Sequence, residues 1–352
     1  MTEQRRTGPR PLRSVPASAS PPATDPPVVR LRTPADVLAA VPVVLGFEPA
    51  DSLAVLTFGA DGASGRPGAP GRSGMHLRID LPADPRDANL VVDAVVAPCV
   101  RHGVGVLAAV LYTDDAPLAT AVADALRDRC WQEGLGLAVA VRADGRRWYD
   151  AGAGSVPTGA GTPYRNDTHP VRTRAVVDGR VVHRSRAAMA AQLAPLPPDR
   201  RRDVAAAVVR ERRRVRRGEE AAWVRRTVLR ALESGVEPAA ADLARLLVAL
   251  DVGVNRDAAW AGMTRPDALA HLDLWVPALR RAPEGARSGV AALVGLCAWL
   301  HGDGALAWCA VDVCLAEVAD HGLGCLVRDL LLTATPPDWW EEVGAGELPS
   351  PA

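Results

Sequence analysis

Apolar positions in the first half of the chain come in short runs. Residues 53–58, LAVLTF, form a continuous apolar stretch of buried-strand length. Residues 75–81 alternate strictly, with Met75, Leu77, Ile79 and Leu81 on one face and His76, Arg78 and Asp80 on the other. Asp84 and Pro85 then open a helix carrying Leu90, Val91, Val95, Cys99 and Val100, kinked at Pro98 and closed by Gly103. An apolar strand follows over 104–112, then a helix from Asp115 and Pro117 to near Gly134. Leu135, Leu137, Val139 and Val141 predict another alternating strand, and Asp144-Gly145 a hairpin into a short strand through Trp148 and Tyr149. These elements predict a small mixed sheet with covering helices, an α/β unit whose strand order the pattern leaves open.

The second half changes period. After a Gly-rich loop over 151–168, two short helices are expected around Gly179, between about 170 and 194. An Arg-rich helical stretch over 198–234 breaks at Gly218. Beyond 238 three stripes recur at helical spacing: Val290, Leu293, Val294, Cys297 and Leu300; Trp308, Val311, Leu315 and Val318; Leu323, Leu326, Val327, Leu330 and Leu331. Short turns between them imply antiparallel packing, as in an all-α bundle or helical-hairpin domain. The division expected is a disordered tail over 1–29, an α/β domain over 30–168, a helical connector over 169–235, a helical domain over 236–343 and a flexible tail over 344–352.

Between residues 31 and 52, Thr33 is placed to cap a helix with Pro34 in its first turn and Asp36 as the acidic member of a capping box. Pro42 is expected to interrupt that helix and Gly46 to stop it. This order resembles the opening of the DUF4192 family, an actinobacterial group of unassigned function. The resemblance rests on Pro34-Ala35-Asp36, Pro42, Leu45-Gly46-Phe47, Pro49 and Ser52-Leu53, and on Arg78-x-Asp80. It continues through Ala175–Val182, Leu246 and Val248-Ala249-Leu250, Arg256-Asp257-Ala258, the His301–Ala307 turn, Pro336-Pro337 and Trp340-Glu341. It implies an α/β half followed by a helical half and no particular activity. Many relatives carry cysteines just before the tripeptide matching Gly161-Thr162-Pro163; Gly154-Ser155-Val156-Pro157 here contains none.

Composition removes several chemistries. All 41 basic residues are arginine, so a Walker lysine, a Schiff-base amine and a kinase strand lysine are missing. The 41 acidic residues balance them, leaving no overall field for nucleic acid or anionic membrane. The six cysteines form no CxxC pair and sit mostly in apolar patterns, which suits a reduced cytoplasm. Residues 289–311 approach membrane-spanning length, but His301-Gly302-Asp303-Gly304 splits them into two buried helices. Neither a cofactor fingerprint nor a metal-binding spacing is present, so no cofactor and no metal is expected.

The polar candidates are few. His76, Arg78 and Asp80 at spacing two, with Asp114 at a strand end, could do acid–base work; a solvated strand face is the simpler account. Tyr112 and Asp115 lie where α/β sheets bind ligands, although Asp115 also serves as a helix cap. Gly161 and Thr162 belong to a loop able to form an anion nest or a plain connector. Nine arginines between Arg200 and Arg217, Arg210, Arg213, Arg214 and Arg217 among them, offer a surface for nucleic acid or an acidic partner, or a solvated helix. The leading expectation is a cytoplasmic, non-enzymatic ligand- or protein-binding or regulatory protein. The alternatives are a hydrolase or nucleotide-acting enzyme built on the α/β residues, and nucleic-acid binding through the arginines.

Overall fold

The computed structural model describes residues 31–59, 75–151, 159–214 and 220–340. The expected terminal tails, the break at Gly218, Arg217 and Gly154–Pro157 lie outside them. Helix α1 (Pro34–Leu45) opens on the expected capping box: Asp36 N donates to Thr33 Oγ1 at 3.2 Å, and the Asp36 carboxylate accepts from Thr33 N at 2.8 Å. Pro42 does not interrupt it, contrary to expectation. A proline lacks the N–H that would reach the carbonyl four residues back, here Leu38. The Asn166 side chain supplies that donor instead, at 3.2 Å, and the helix runs on to the left-handed Gly46, φ 75°.

The sheet contains β1 (Ser52–Gly59), β2 (His76–Asp80), β3 (Val104–Tyr112), β4 (Gly136–Ala143), β5 (Arg147–Asp150) and β6 (Thr162–Pro163), in the order β2-β1-β3-β4-β5-β6. β1 is antiparallel to both neighbours and β3 is parallel to β4, so β2, β3 and β4 all run the same way. The crossovers β2-α2-β3 and β3-α3-β4, through α2 (Ala88–Arg101) and α3 (Ala116–Gln132), cover one face. Leu53, Val55, Leu107, Ala109 and Leu111 pack there beneath Val92, Val96, Val122 and Leu126. Two expectations need correction. The 135–141 stripe is not one face, because the register shifts between Leu107 and Ala108; Leu137 joins the α2–α3 side, whereas Val139 and Val141 pack on the other. The segment 151–168 is not all loop, because Thr162–Pro163 pairs with β5.

The opposite face, Ala54, Leu56, Ala108, Val110, Tyr112, Val141 and Ala143, shares one apolar cluster with α1 and the helical half. That half comprises α4 (Pro170–Val177), α5 (Arg186–Ala190), α6 (Pro198–Arg212), α7 (Glu220–Ser234), α8 (Ala240–Ala249), α9 (Gly253–Trp260), α10 (Ala268–Arg281), α11 (Ser288–His301), α12 (Gly304–Glu317) and α13 (Gly322–Leu332). α11 is its axis, buried from Ser288 to Leu300. The α12 stripe differs from expectation: the buried side is Ala307, Ala310, Val311 and Cys314, while Val318 is exposed. Small residues let α12 approach Gly295 of α11, and Trp308 is turned aside into the cleft described next. Glu317, at the end of α12, accepts from Gly285 N, Arg287 N and Ser288 N at 2.5, 2.8 and 2.6 Å, capping the start of α11 from outside that helix.

Candidate functional site

β2 is an edge strand: among the described residues it pairs only with β1. A cleft of about 680 Å³ runs along its other side and is lined by every residue from Met75 to Asp80. Ala94, Val95 and Pro98 of α2 wall one side, Val44, Leu45 and Phe47 with Ala305 and Trp308 the other, and Leu330–Leu332 with Thr335–Asp338 the back. Arg101 Nη1 and the His102 ring meet Thr333 O at 3.3 and 3.0 Å, tying α2 to the end of α13. The cleft thus lies where the next strand of the sheet would lie.

The backbone of β2 is directional. Leu81 N donates to Asp51 O at 2.9 Å, continuing the register in which Ser52 faces Asp80 and Leu53 faces Ile79. Hydrogen-bonded and non-bonded pairs alternate in antiparallel ladders. Leu77 and Ile79 therefore spend their backbone groups on β1, while His76, Arg78 and Asp80 turn theirs to the cleft. Their side chains share a face, as expected. Arg78 pairs with Asp80 at 2.7 Å, reaches Ala50 O at 3.3 Å and lies 6.0 Å over the Phe47 ring. Across the cleft Arg186 pairs with Asp312 at 2.8 Å, and Arg265 with Asp338. His76 lines the cleft, where the surrounding protein disfavours the charged ring and lowers its pKa.

A second cavity, about 550 Å³, opens at the carboxyl ends of β3 and β4. Glu48, Asp51, Tyr112, Asp114, Asp144, Tyr164 and Asp167 line it. Glu48 pairs with Arg172 at 2.6 Å and Asp167 with Arg165 at 3.2 Å. Burial alone would raise Asp144, but Arg147 N, Arg146 N and the Tyr149 hydroxyl, at 2.7, 2.9 and 2.9 Å, outweigh it and hold its carboxyl below the usual range. Tyr112 is 6% exposed, and its hydroxyl has no partner among the described residues. Burial, with Tyr164 and Glu48 adding to it, pushes that phenol well above its ordinary value.

The sequence candidates therefore separate. His76, Arg78 and Asp80 meet in the edge cleft; Asp114 and Tyr112 line the other cavity. Asp115 caps α3 through Leu118 N at 2.9 Å. Gly161, φ 64°, packs against the Tyr149 ring, and Thr162 is exposed in β6; neither lines a cavity described above. Arg210 and Arg213 are exposed, Arg214 pairs with Glu211 at 3.0 Å, and α6 buries Val204, Ala207 and Val208. Among the described residues no group of three or more His, Cys, Asp or Glu could hold a metal ion, and no helix is long and apolar enough to cross a membrane.

Sequence reasoning missed Arg186, Asp312 and Trp308 in the edge cleft and Glu48, Asp144 and Tyr164 in the second cavity. The spacing of Leu45-Gly46-Phe47, Arg78-x-Asp80, the His301–Ala307 turn and Pro336-Pro337 held a partial signal, since all four segments contribute walls to the edge cleft. The family model for a domain of unknown function, DUF4192, matches residues 34–338. The chain belongs to the DUF4192 family. No curated protein and no solved structure gives a significant match. In this DUF4192 chain, segments more than two hundred residues apart in sequence build one cleft beside a strand edge.

Proposed function

We propose that this DUF4192 protein binds a partner by taking an extended, largely apolar segment into the cleft beside β2, where it adds to the sheet as a further strand. The observation that carries this reading is the run of the cleft along all of Met75–Asp80, on the side to which His76, Arg78 and Asp80 turn their backbone groups. An unpaired edge is a template for another strand, and main-chain bonds would give affinity while flanking pockets give selectivity. An incoming strand would alternate between the α2 wall, Ala94, Val95 and Pro98, and the Val44, Leu45 and Trp308 wall. Both are apolar, so aliphatic side chains suit both of its faces. The charged groups are matched in pairs, Arg78 with Asp80, Arg186 with Asp312 and Arg265 with Asp338, which favours recognition over acid–base turnover.

The test is selection from a displayed library of random decapeptides against the purified protein, with His76→Pro as the counter-target. Enriched peptides should be apolar and free of proline at their centre, and should bind His76→Pro at least tenfold more weakly. Peptides that bind both proteins equally, or a selection that enriches none, would sink the reading.

A further inference from the structure

The cavity at the carboxyl ends of β3 and β4 is separate from the edge cleft and has a different chemistry. Among the described residues five carboxylates, Glu48, Asp51, Asp114, Asp144 and Asp167, line it with one guanidinium, Arg165, and a second, Arg172, pairs with Glu48 from behind. The chain as a whole is neutral, so this excess is local. Glu48, Asp144 and Asp167 are engaged as described above. Asp51 and Asp114 are exposed at the mouth and form no ion pair among the described residues. Asp51 holds a left-handed backbone, φ 44°, a conformation in which Asp and Asn are enriched among residues other than glycine.

An acidic rim alone would say little. The floor adds an independent observation. Tyr112, at the end of β3, is buried, lines the cavity and keeps its hydroxyl without a partner among the described residues. A buried hydroxyl left unpaired costs free energy. A ligand atom that bonds it recovers that loss. Tyr164 lines the same cavity.

We infer that this cavity binds an organic cation carrying alkylammonium groups, with ammonium nitrogens against Asp51 and Asp114 and a polar atom of the ligand on the Tyr112 hydroxyl. An organic cation is favoured over a metal ion because the lining carboxylates do not gather into a ligand set among the described residues. No group of three ligating side chains among the described residues is placed to hold one ion. The same ammonium chemistry is offered by a free polyamine and by a lysine side chain of a peptide.

The experiment is titration calorimetry on the full chain at low salt with spermidine, trilysine and magnesium chloride as separate probes. Spermidine is expected to bind near one equivalent, with affinity falling as salt rises. The double variant Asp51→Asn, Asp114→Asn should lose at least tenfold in affinity at unchanged thermal midpoint. Asparagine tolerates the backbone at 51, and Asp115 rather than Asp114 caps α3. Tyr112→Phe should weaken binding several-fold while keeping the ring packing. Tighter binding of trilysine than of spermidine would place the ammonium group on a peptide and support the same site. Undiminished binding by the double variant, no binding of either amine, or preference for magnesium would overturn the proposal.

Discussion

Placing proline at successive positions of β2 separates the two sides of the strand. At Leu77 the backbone N–H points at Val55 of β1, and Val55 is fully buried. Leu77→Pro removes that bond, net about 1 kcal/mol, and strands a buried carbonyl at about 1–3 kcal/mol more. It also shortens a side chain packed against the α2–α3 core. The expected total is about 3–5 kcal/mol. At His76 the N–H faces the cleft, the residue opens the strand, and its side chain is exposed. Proline is tolerated at such a position. Its φ restriction costs little and is partly offset by a stiffer unfolded chain, about 0.4–1 kcal/mol. His76→Pro should therefore lie within about 1 kcal/mol of the parent, and the two variants should differ by at least about 2 kcal/mol, roughly thirtyfold in the unfolding equilibrium. Urea unfolding followed by circular dichroism gives both values from midpoint and slope. Equal losses, or a larger loss at His76, would refute the pairing parity and with it the claim that His76, Arg78 and Asp80 present an edge without a partner strand among the described residues.

Four further outcomes follow from the packing. Asn166→Ala should cost about 1–2 kcal/mol by leaving the Leu38 carbonyl bare; in a Pro42→Ala background, where residue 42 regains its N–H, that cost should shrink, and an unchanged cost in the double-mutant cycle would disprove the link. Glu317→Ala should destabilise by about 3 kcal/mol and Glu317→Gln by about 1 kcal/mol, because three backbone donors lose a charged acceptor in the first case and keep a neutral one in the second; a loss below 0.5 kcal/mol for alanine, roughly the level of an ordinary surface change, would contradict the capping role. Burial pushes the thiols of Cys99 and Cys314 up to about 12, so native protein treated with iodoacetamide should be labelled first at the half-exposed Cys325, and early labelling of Cys99 would be inconsistent with the packing. Burial lowers the pKa of His271 from its ordinary 6.5, so below that pH the unfolded chain takes a proton that the native ring refuses; unfolding free energy should fall as pH drops below 6.5 toward the lowered native value, and His271→Gln should flatten that slope.

Much of the fold is legible in the sequence because period and caps act locally. The alternation of Met75–Leu81 places its apolar face against α2 and its charged face in the cleft, and Thr33 and Asp36 form their box. What was hidden depends on distant partners. Pro42 reads as a break until Asn166, more than a hundred residues later, supplies a donor. The shift that splits Leu137 from Val139 is set by pairing with β3. Trp308 reads as packing because its helix is apolar all round, and only the close approach of α12 to Gly295 shows that small residues take the interface. The site follows the same rule. His76, Arg78 and Asp80 share a strand and were visible together, whereas Arg186 and Asp312 join them only through the fold.

The most direct test of the edge-strand account is residue-resolved amide hydrogen exchange of β2, in the free protein and with a peptide selected from the decapeptide library. The account predicts that Leu77 and Ile79 are already protected in the free protein, that His76, Arg78 and Asp80 exchange fast, and that peptide slows those three at least tenfold. Uniform protection along β2 before peptide is added, or protection by peptide confined to other elements, would contradict it.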